Sequence, residues 1–144
     1  YPTLIIKNTQ LYELYKEKKY IPWGLDRMIG LVKESMKKFK KANIPVIRVG
    51  LHADPSMLEN LIAGPYHPSF RYLVESLIAR DKMAALIDRL EIIPQIITFK
   101  VPSREVSLYL GHKKDNIQAL KNIFGIKKII FQQVGNLENL QMIA

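Results

Sequence analysis

The stretch PVIRVGLHADPSMLENLIAGPYHPSFRYLVES, residues 45–76, decides the fold predicted for the chain around it. It starts with an apolar run, Val46–Leu51, which is typical of a strand buried in a parallel sheet. A polar loop that holds His52, Asp54 and His67 is expected next, and the apolar spacing after Pro68 predicts a long amphipathic helix. Ligands of α/β proteins bind where the carboxyl ends of strands meet the loops that follow them. We therefore expect any reaction centre in this chain to lie just after Leu51.

The residues before this stretch predict a strand followed by a helix. The apolar run Thr3–Lys7 is typical of a strand, and apolar residues at helical spacing predict a helix from about Leu25 to Asn43. Strand, helix and strand form a right-handed βαβ unit with parallel strands. Two parallel strands cannot bury both faces alone, so we expect residues 1–60 to be the end of a larger sheet or barrel.

Residues 95–134 predict a second, smaller unit. A strand over Gln95–Val101 leads into two short helices that end at Gly111 and Gly125, and a strand over Lys127–Val134 closes the unit. The predicted order is β-α-α-β. The last eight residues fit either a helix or a strand.

The amino-acid composition limits the classes of protein to which this chain can belong. The chain has 144 residues, a net charge of +9 and no cysteine, which excludes disulfides and thiolate-bound metals within it. The basic excess favours an anionic partner, nucleic acid first, although solvated lysine faces explain it equally well. No apolar run reaches transmembrane length and no signal peptide opens the chain, so we expect a cytoplasmic protein without a membrane partner.

Three polar residues follow the predicted strand end, namely His52, Asp54 and His67. A histidine and a carboxylate two residues apart can bind a metal or transfer protons. Alternatively, Asp54 before Pro55 and His67 before Pro68 are turn and helix-start residues. The second interpretation is favoured because no third ligand accompanies them, and we expect neither a metal site nor a catalytic residue.

The loop between the two short helices, residues 111–116 with the sequence GHKKDN, is basic. Backbone amides at the start of the second helix, together with Lys113 and Lys114, can hold a phosphate group. The alternative is a plain helix hairpin, with Gly111 as the C-cap and Asp115 or Asn116 as the N-cap. This topology is similar to that of a KH-type RNA-binding module, although a lysine stands where its second loop glycine belongs.

Residues 12–23 interleave aromatic side chains with lysines, and the aromatic residues are Tyr12, Tyr15, Tyr20 and Trp23. Such a pattern can stack against nucleic acid bases. More often, aromatic residues of this kind pack a helix against its sheet, and that interpretation is favoured here.

Three segments resemble one known family. They are YPTLIIKNTQLYELYKEKKYIPWGLDRMIGLVKESMKKF at residues 1–39, IPVIRVGLHADP at residues 44–55 and GPYHPSFRYLVES at residues 64–76. Together they resemble the C-terminal half of radical S-adenosylmethionine (SAM) proteins over residues 1–80. The most similar branch is related to the Elongator catalytic subunit, and its bacterial members are described as oxygen-independent coproporphyrinogen III oxidase-like.

The resemblance implies an iron–sulfur oxidoreductase. Members hold a [4Fe–4S] cluster on a Cys-x-x-x-Cys-x-x-Cys loop and use it to make a 5′-deoxyadenosyl radical from SAM. This chain has no cysteine, so we expect that loop to lie in a preceding part of the same protein, and this chain to be inactive and without cofactor alone. By resemblance, the strand end that faces the adenosine of SAM consists of Val49, Gly50, Leu51 and His52.

The resemblance and the residues together predict an α/β fold. It comprises the terminal βαβ of a partial (β/α) barrel with a long covering helix, residues 1–92, and a small basic β-α-α-β, KH-like α+β module, residues 93–144. The Elongator branch modifies tRNA, so we expect tRNA or another RNA as the partner. The predicted nucleic-acid-binding residues are Gly111, Lys113, Lys114, Asn116, Lys127 and Lys128.

Two other functions stay open. The chain can be a non-catalytic RNA-binding module with KH-like topology. It can also be a structural fragment that forms homo-oligomers, because exposed strand edges pair readily with further strands.

Overall fold

The computed structural model describes residues 1–52, 54–135, 137 and 139–143. Its mixture of helices and strands confirms the predicted α/β class. The chain divides into two compact units, Tyr1–Val74 (unit 1) and Glu75–Ala144 (unit 2). The predicted division into residues 1–92 and 93–144 stays a prediction about domains. Among the helices in the described part of the chain, none combines the length and the apolar character needed to cross a membrane.

Unit 1 contains two short strands and three helices, and the long helix α4 begins in it. Their bounds are β1 Ile5–Ile6, α1 Gln10–Lys16, α2 Leu25–Lys41, α3 Pro55–Glu59, β2 Leu61–Ala63 and α4 Phe70–Ile87. Strands β1 and β2 pair antiparallel, with Ile5 opposite Ala63. The helices predicted from Leu25 and from about Pro68 are confirmed, and α4 is continuous across Arg80–Lys82.

Local side chains stabilise the start of helix α1 and the end of helix α2. The Thr9 hydroxyl accepts a hydrogen bond from the Tyr12 amide at 3.2 Å and so caps the first turn of α1. Helix α2 ends in a turn that contains Lys38, Lys40 and Lys41. These positive charges stabilise the negative end of the helix dipole.

The strand predicted over Val46–Leu51 does not form, nor does the parallel pair that it was to make with β1. In the part of the chain that the structure describes, no backbone hydrogen bond joins residues 45–51 to another backbone group. A strand exists only where a neighbour completes its ladder, and the ladder partner of β1 is β2. Residues 45–51 (the extended segment) therefore have no ladder partner among the described residues, and Ile47 is 92% exposed.

The stretch between His52 and His67 was predicted as a loop, and that prediction was wrong in part. It contains α3 and β2. Asp54 and Pro55 start α3 as N-cap and first helical residue, a pairing that favours helix initiation.

Unit 2 has the predicted β-α-α-β order, followed by one more strand. The bounds are β3 Ile96–Pro102, α5 Val106–Leu110, α6 Asp115–Phe124, β4 Lys128–Val134 and β5 Gln141–Ile143, with 3-10 turns at Ser103–Glu105 and His112–Lys114. The sheet order is β4-β3-β5, with β4 parallel and β5 antiparallel to β3. Among the described residues of the last eight, β5 shows that the strand interpretation was the right one.

The core of unit 2 lies on one face of this sheet. Ile97, Phe99 and Val101 alternate along β3 and are fully buried, and the Phe99 ring stacks on the Phe131 ring with centroids 6.2 Å apart. Met83 and Ile87 of α4 and Leu120 of α6 complete the same cluster, with other residues of both helices. Burial of this apolar face is the main force that holds the helices on the sheet.

A buried amide joins the three helices of unit 2. The Asn116 side chain donates hydrogen bonds to the carbonyl oxygens of Ser76 at 2.9 Å, Leu108 at 3.0 Å and Tyr109 at 3.3 Å. The Ser76 hydroxyl also donates to the Leu108 carbonyl at 2.9 Å. Because Asn116 is only 2% exposed, these bonds are shielded from water and fix the α5–α6 turn against α4.

Substitution Asn116→Ala is expected to lower the free energy of unfolding of unit 2 by about 2–3 kcal/mol, because buried carbonyl oxygens lose their donor. Amide hydrogen exchange of β3 measures this loss. The matched control is Gln118→Ala, because Gln118 is exposed on the same helix and donates a hydrogen bond to the exposed Asn122 side chain. The control should change stability by less than about 0.5 kcal/mol. Equal protection in N116A and Q118A would contradict the role given to Asn116.

Candidate functional site

A groove of about 520 Å³ lies in unit 1 between α2 and the extended segment. Its lining is apolar and rich in aromatic and methionine side chains, with few polar residues. The lining residues are Tyr1, Thr3, Tyr20, Trp23, Met28, Leu31, Val32, Ser35, Met36, Phe39, Val46, Arg48, Val49, Gly50 and Phe70. Both its volume and its lining are in the range of small-molecule sites.

A second cavity of about 370 Å³ lies beside the same segment. It is lined by Arg48, Val49, Gly50, Leu51, His52 and Pro68. The four consecutive residues that were predicted to contact the cofactor, Val49–His52, are among these lining residues. That they bind SAM stays a prediction.

Gly50 is the residue that shapes the wall between the two cavities. Its φ of +81° lies in the left-handed region, where glycine has no steric cost. A Cβ atom at this position would lie 2.9 Å from the Cβ atom of Phe70, the buried first residue of α4. The structure explains the glycine by the close packing of its backbone against Phe70.

The three polar residues near the predicted strand end have separate surroundings. The Asp54 carboxylate accepts hydrogen bonds from the Met57 amide at 2.7 Å and the Ser56 hydroxyl at 3.0 Å, and these bonds lower the pKa of Asp54. His67 accepts one from the Ser69 amide at 3.0 Å. Asp54 and His67 thus have the turn and helix-start roles, whereas His52 lines the smaller cavity. Within the described residues, no three histidine, aspartate or glutamate side chains are grouped closely enough to hold a metal ion.

The basic loop of unit 2 places its lysines outward. Lys113 and Lys114 have positive φ values of 49° and 68°, and their side chains are exposed. Lys127 and Lys128 are exposed as well, before and at the start of β4. Nucleic-acid binding by these four lysines stays a prediction.

Two of the predicted nucleic-acid residues have structural roles instead. Asn116 is buried and its amide is engaged in the helix junction, so its side chain is not available to a nucleic acid. Gly111 is also buried, and a Cβ atom there would lie 2.8 Å from the Asn116 backbone nitrogen. Both were predicted from their place in the loop, and a place in a loop does not tell which residues are buried.

The aromatic residues of the segment before α2 divide between two environments. Tyr20 and Trp23 line the groove, and the Arg27 guanidinium lies 3.9 Å from the centre of the Trp23 ring. Tyr12 instead lies under the Lys16 ammonium group at 4.9 Å. Because Trp23 is 37% exposed, it forms part of the groove wall and is not buried in the core.

Sequence reasoning missed Arg48, which lines both cavities. The signal was present as a single charge inside the apolar run VIRVGL. A charge in a strand that is buried on both faces must be paired or must reach a cavity or solvent.

The fold and cavities described above define a small mixed α/β protein with a candidate binding region at the end of an extended segment. The family model for the Radical_SAM C-terminal domain matches residues 1–80, more than half of the chain. The chain therefore belongs to the Radical_SAM C-terminal domain family. No curated protein and no solved structure matches the chain.

Membership of this family implies SAM and a [4Fe–4S] cluster in full-length proteins. Such clusters are held by cysteine thiolates, and this chain contains no cysteine, so its own residues do not fit the cluster. The wall formed by Val49–His52 lacks thiolates but offers backbone amides and carbonyls without ladder partners among the described residues. It suits contacts to an organic ligand rather than to iron.

Substitution Gly50→Ala is expected to destabilise unit 1 by about 2 kcal/mol, because the new Cβ is strained in the left-handed region and overlaps Phe70. Urea unfolding followed by the fluorescence of Trp23, the single tryptophan, measures the change. Gly30→Ala is the matched control, since a Cβ there meets nothing within 4 Å. Gly30 lies inside α2, so alanine should stabilise by about 0.5–1 kcal/mol. Similar effects of G50A and G30A would refute this explanation of Gly50.

Proposed function

We propose that this chain is the C-terminal part of a cytoplasmic radical SAM iron–sulfur oxidoreductase of the Elongator-related, coproporphyrinogen III oxidase-like branch. We further propose that the whole protein acts on tRNA or another nucleic acid. The family match over residues 1–80 carries the first part of this proposal. The assignment to this branch rests on the likeness of residues 2–15 and 63–76 to members of that branch.

In this proposal, Val49–His52 forms one wall of the SAM site. Two observations support it: the four residues line one cavity, and the backbone around them has no ladder partner among the described residues. Free amide and carbonyl groups of this kind bind a ligand without needing a particular side chain. The chain alone is inactive in this proposal because cluster ligands are lacking in it.

The preceding part of the same protein is the proposed partner of the extended segment. Residues 45–51 present unpaired backbone groups, and Ile47 and Ile44 are 92% and 51% exposed. A segment with unpaired backbone groups can pair with another strand, which would also remove both isoleucines from water. A second copy of this chain is the competing occupant of the same segment.

The nucleic-acid surface in this proposal consists of Lys113, Lys114, Lys127 and Lys128. Their side chains are exposed, and among the residues that the structure describes none of the four forms an ion pair. Unpaired lysines of this kind can neutralise phosphates and release counterions. Gly111 and Asn116 support the turn that presents the first two lysines.

The double charge reversal Lys113→Glu and Lys114→Glu is expected to weaken tRNA binding at least about tenfold and to make the salt dependence shallower by about two units. Filter binding or fluorescence anisotropy across a salt series measures both quantities.

The matched control for this test is Lys40→Glu with Lys41→Glu, which changes the net charge equally at the end of α2. If both double variants lose the same affinity, binding depends on net charge and the proposed surface is wrong. If neither variant changes the salt slope, the RNA contact at this turn is excluded.

A non-catalytic RNA-binding module is the alternative, favoured by the β-α-α-β order of unit 2 and its exposed lysines. Reductive cleavage of SAM separates the two functions. With the cluster reduced by dithionite, the complete protein that contains this chain should form 5′-deoxyadenosine, whereas the 144-residue chain should form none. RNA binding by a complete protein that forms no 5′-deoxyadenosine would favour the alternative.

A further inference from the structure

Arg48 lies on the wall that is common to the two cavities of unit 1. Its side chain is exposed and, among the described residues, it forms no ion pair with a carboxylate. No aspartate or glutamate belongs to the lining of either cavity. An uncompensated guanidinium at this position therefore makes the region attractive to an anion.

The smaller cavity adds a second group that can interact with an anion. His52 lines it together with Arg48, and the remaining lining residues are Val49, Gly50, Leu51 and Pro68. The planar guanidinium of arginine binds carboxylate and phosphate groups with two parallel hydrogen bonds. A neutral or protonated imidazole can donate a further one.

The larger cavity suits an apolar group, in contrast to the anion expected at Arg48 and His52. Its walls include Trp23, Tyr20 and Phe39, together with Met28 and Met36. Aromatic and methionine side chains of this kind bind flat apolar groups through dispersion and ring contacts. A volume of about 520 Å³ admits a ligand of ordinary metabolite size.

We propose that Arg48 binds the carboxylate or phosphate group of a small molecule whose aromatic or otherwise apolar part occupies the groove. Arg48 is then the residue that selects anionic ligands, and His52 assists it. Charge complementarity favours this occupant, since the lining of the two cavities includes the cation Arg48 and no carboxylate.

This inference concerns the same wall, Val49–His52, that the proposed function assigns to SAM, and it deepens that function by giving Arg48 the anionic group of the ligand bound there. It does not depend on nucleic-acid binding by unit 2. The dye experiment measures binding to the 144-residue chain, whereas SAM cleavage is measured on the complete protein, so the failure of one is distinguishable from the failure of the other.

The test uses two related dyes with the 144-residue chain. 1-Anilinonaphthalene-8-sulfonate carries an anionic group, and N-phenyl-1-naphthylamine has the same aromatic body without charge. Arg48→Gln is expected to raise the dissociation constant of the anionic dye about tenfold, the usual effect of losing one charge-assisted hydrogen bond. Binding of the uncharged dye should be unchanged.

Two further variants make the result specific. Lys40→Gln removes an exposed cation of the same unit outside both cavities and should leave both dyes unaffected. Trp23→Ala should weaken both dyes, because the indole ring is part of the groove wall. Far-UV circular dichroism of each variant checks that the fold is kept.

Competition then separates the sources of the anion. 1-Naphthyl phosphate and 1-naphthoate are expected to displace the anionic dye from the wild-type chain better than 1-naphthol, and the stronger of the two identifies the preferred group. The proposal is overturned if R48Q binds the anionic dye as tightly as the wild type, or if K40Q loses as much affinity as R48Q. It is equally overturned if W23A binds both dyes normally, since the apolar part then lies elsewhere.

Discussion

The contact between Gly50 and Phe70 determines where both cavities of unit 1 lie. The backbone of Gly50 has a left-handed φ and packs closely against Phe70 of α4. A Cβ atom at this position would lie only 2.9 Å from the Cβ atom of Phe70, so this packing requires a residue without a side chain. Because this position belongs to both linings, the apolar groove and the more polar cavity meet there. The same contact therefore places Arg48 beside both cavities and His52 beside the smaller one.

The sequence predicts best those elements whose signals are local. Helix α2 follows from the spacing of its apolar residues, and the ends of α5 and α6 follow from Gly111 and Gly125. The β-α-α-β order of unit 2 is confirmed for the same reason. Each of these signals involves residues within a turn or two of one another, so no knowledge of distant neighbours is needed.

Prediction from the sequence fails where a residue's structure depends on neighbours that are distant in the chain. The run Val46–Leu51 has the composition of a buried strand, but composition records a tendency to be buried and not the identity of the neighbour. Strand β2 was missed because Leu61–Ala63 is short and its pairing with β1 joins residues far apart in the chain. Position in the sequence also does not tell which loop residues are exposed: the segment Val49–His52 lines a cavity, whereas the Asn116 amide is buried and bonds to carbonyl oxygens of two other helices. That either set of residues binds a ligand stays a prediction.

Sulfur occurs in this chain only as thioether. There are five methionines and no cysteine, and Met28 and Met36 both belong to the groove wall. With no thiol to react first, oxidants that reach the groove meet methionine, and each sulfoxide formed there would replace a soft apolar surface by a polar and bulkier one. Storage in air would then erode the ligand-binding properties of unit 1 while leaving its net charge unaltered, so reducing agents chosen to protect thiols would miss the vulnerable atoms.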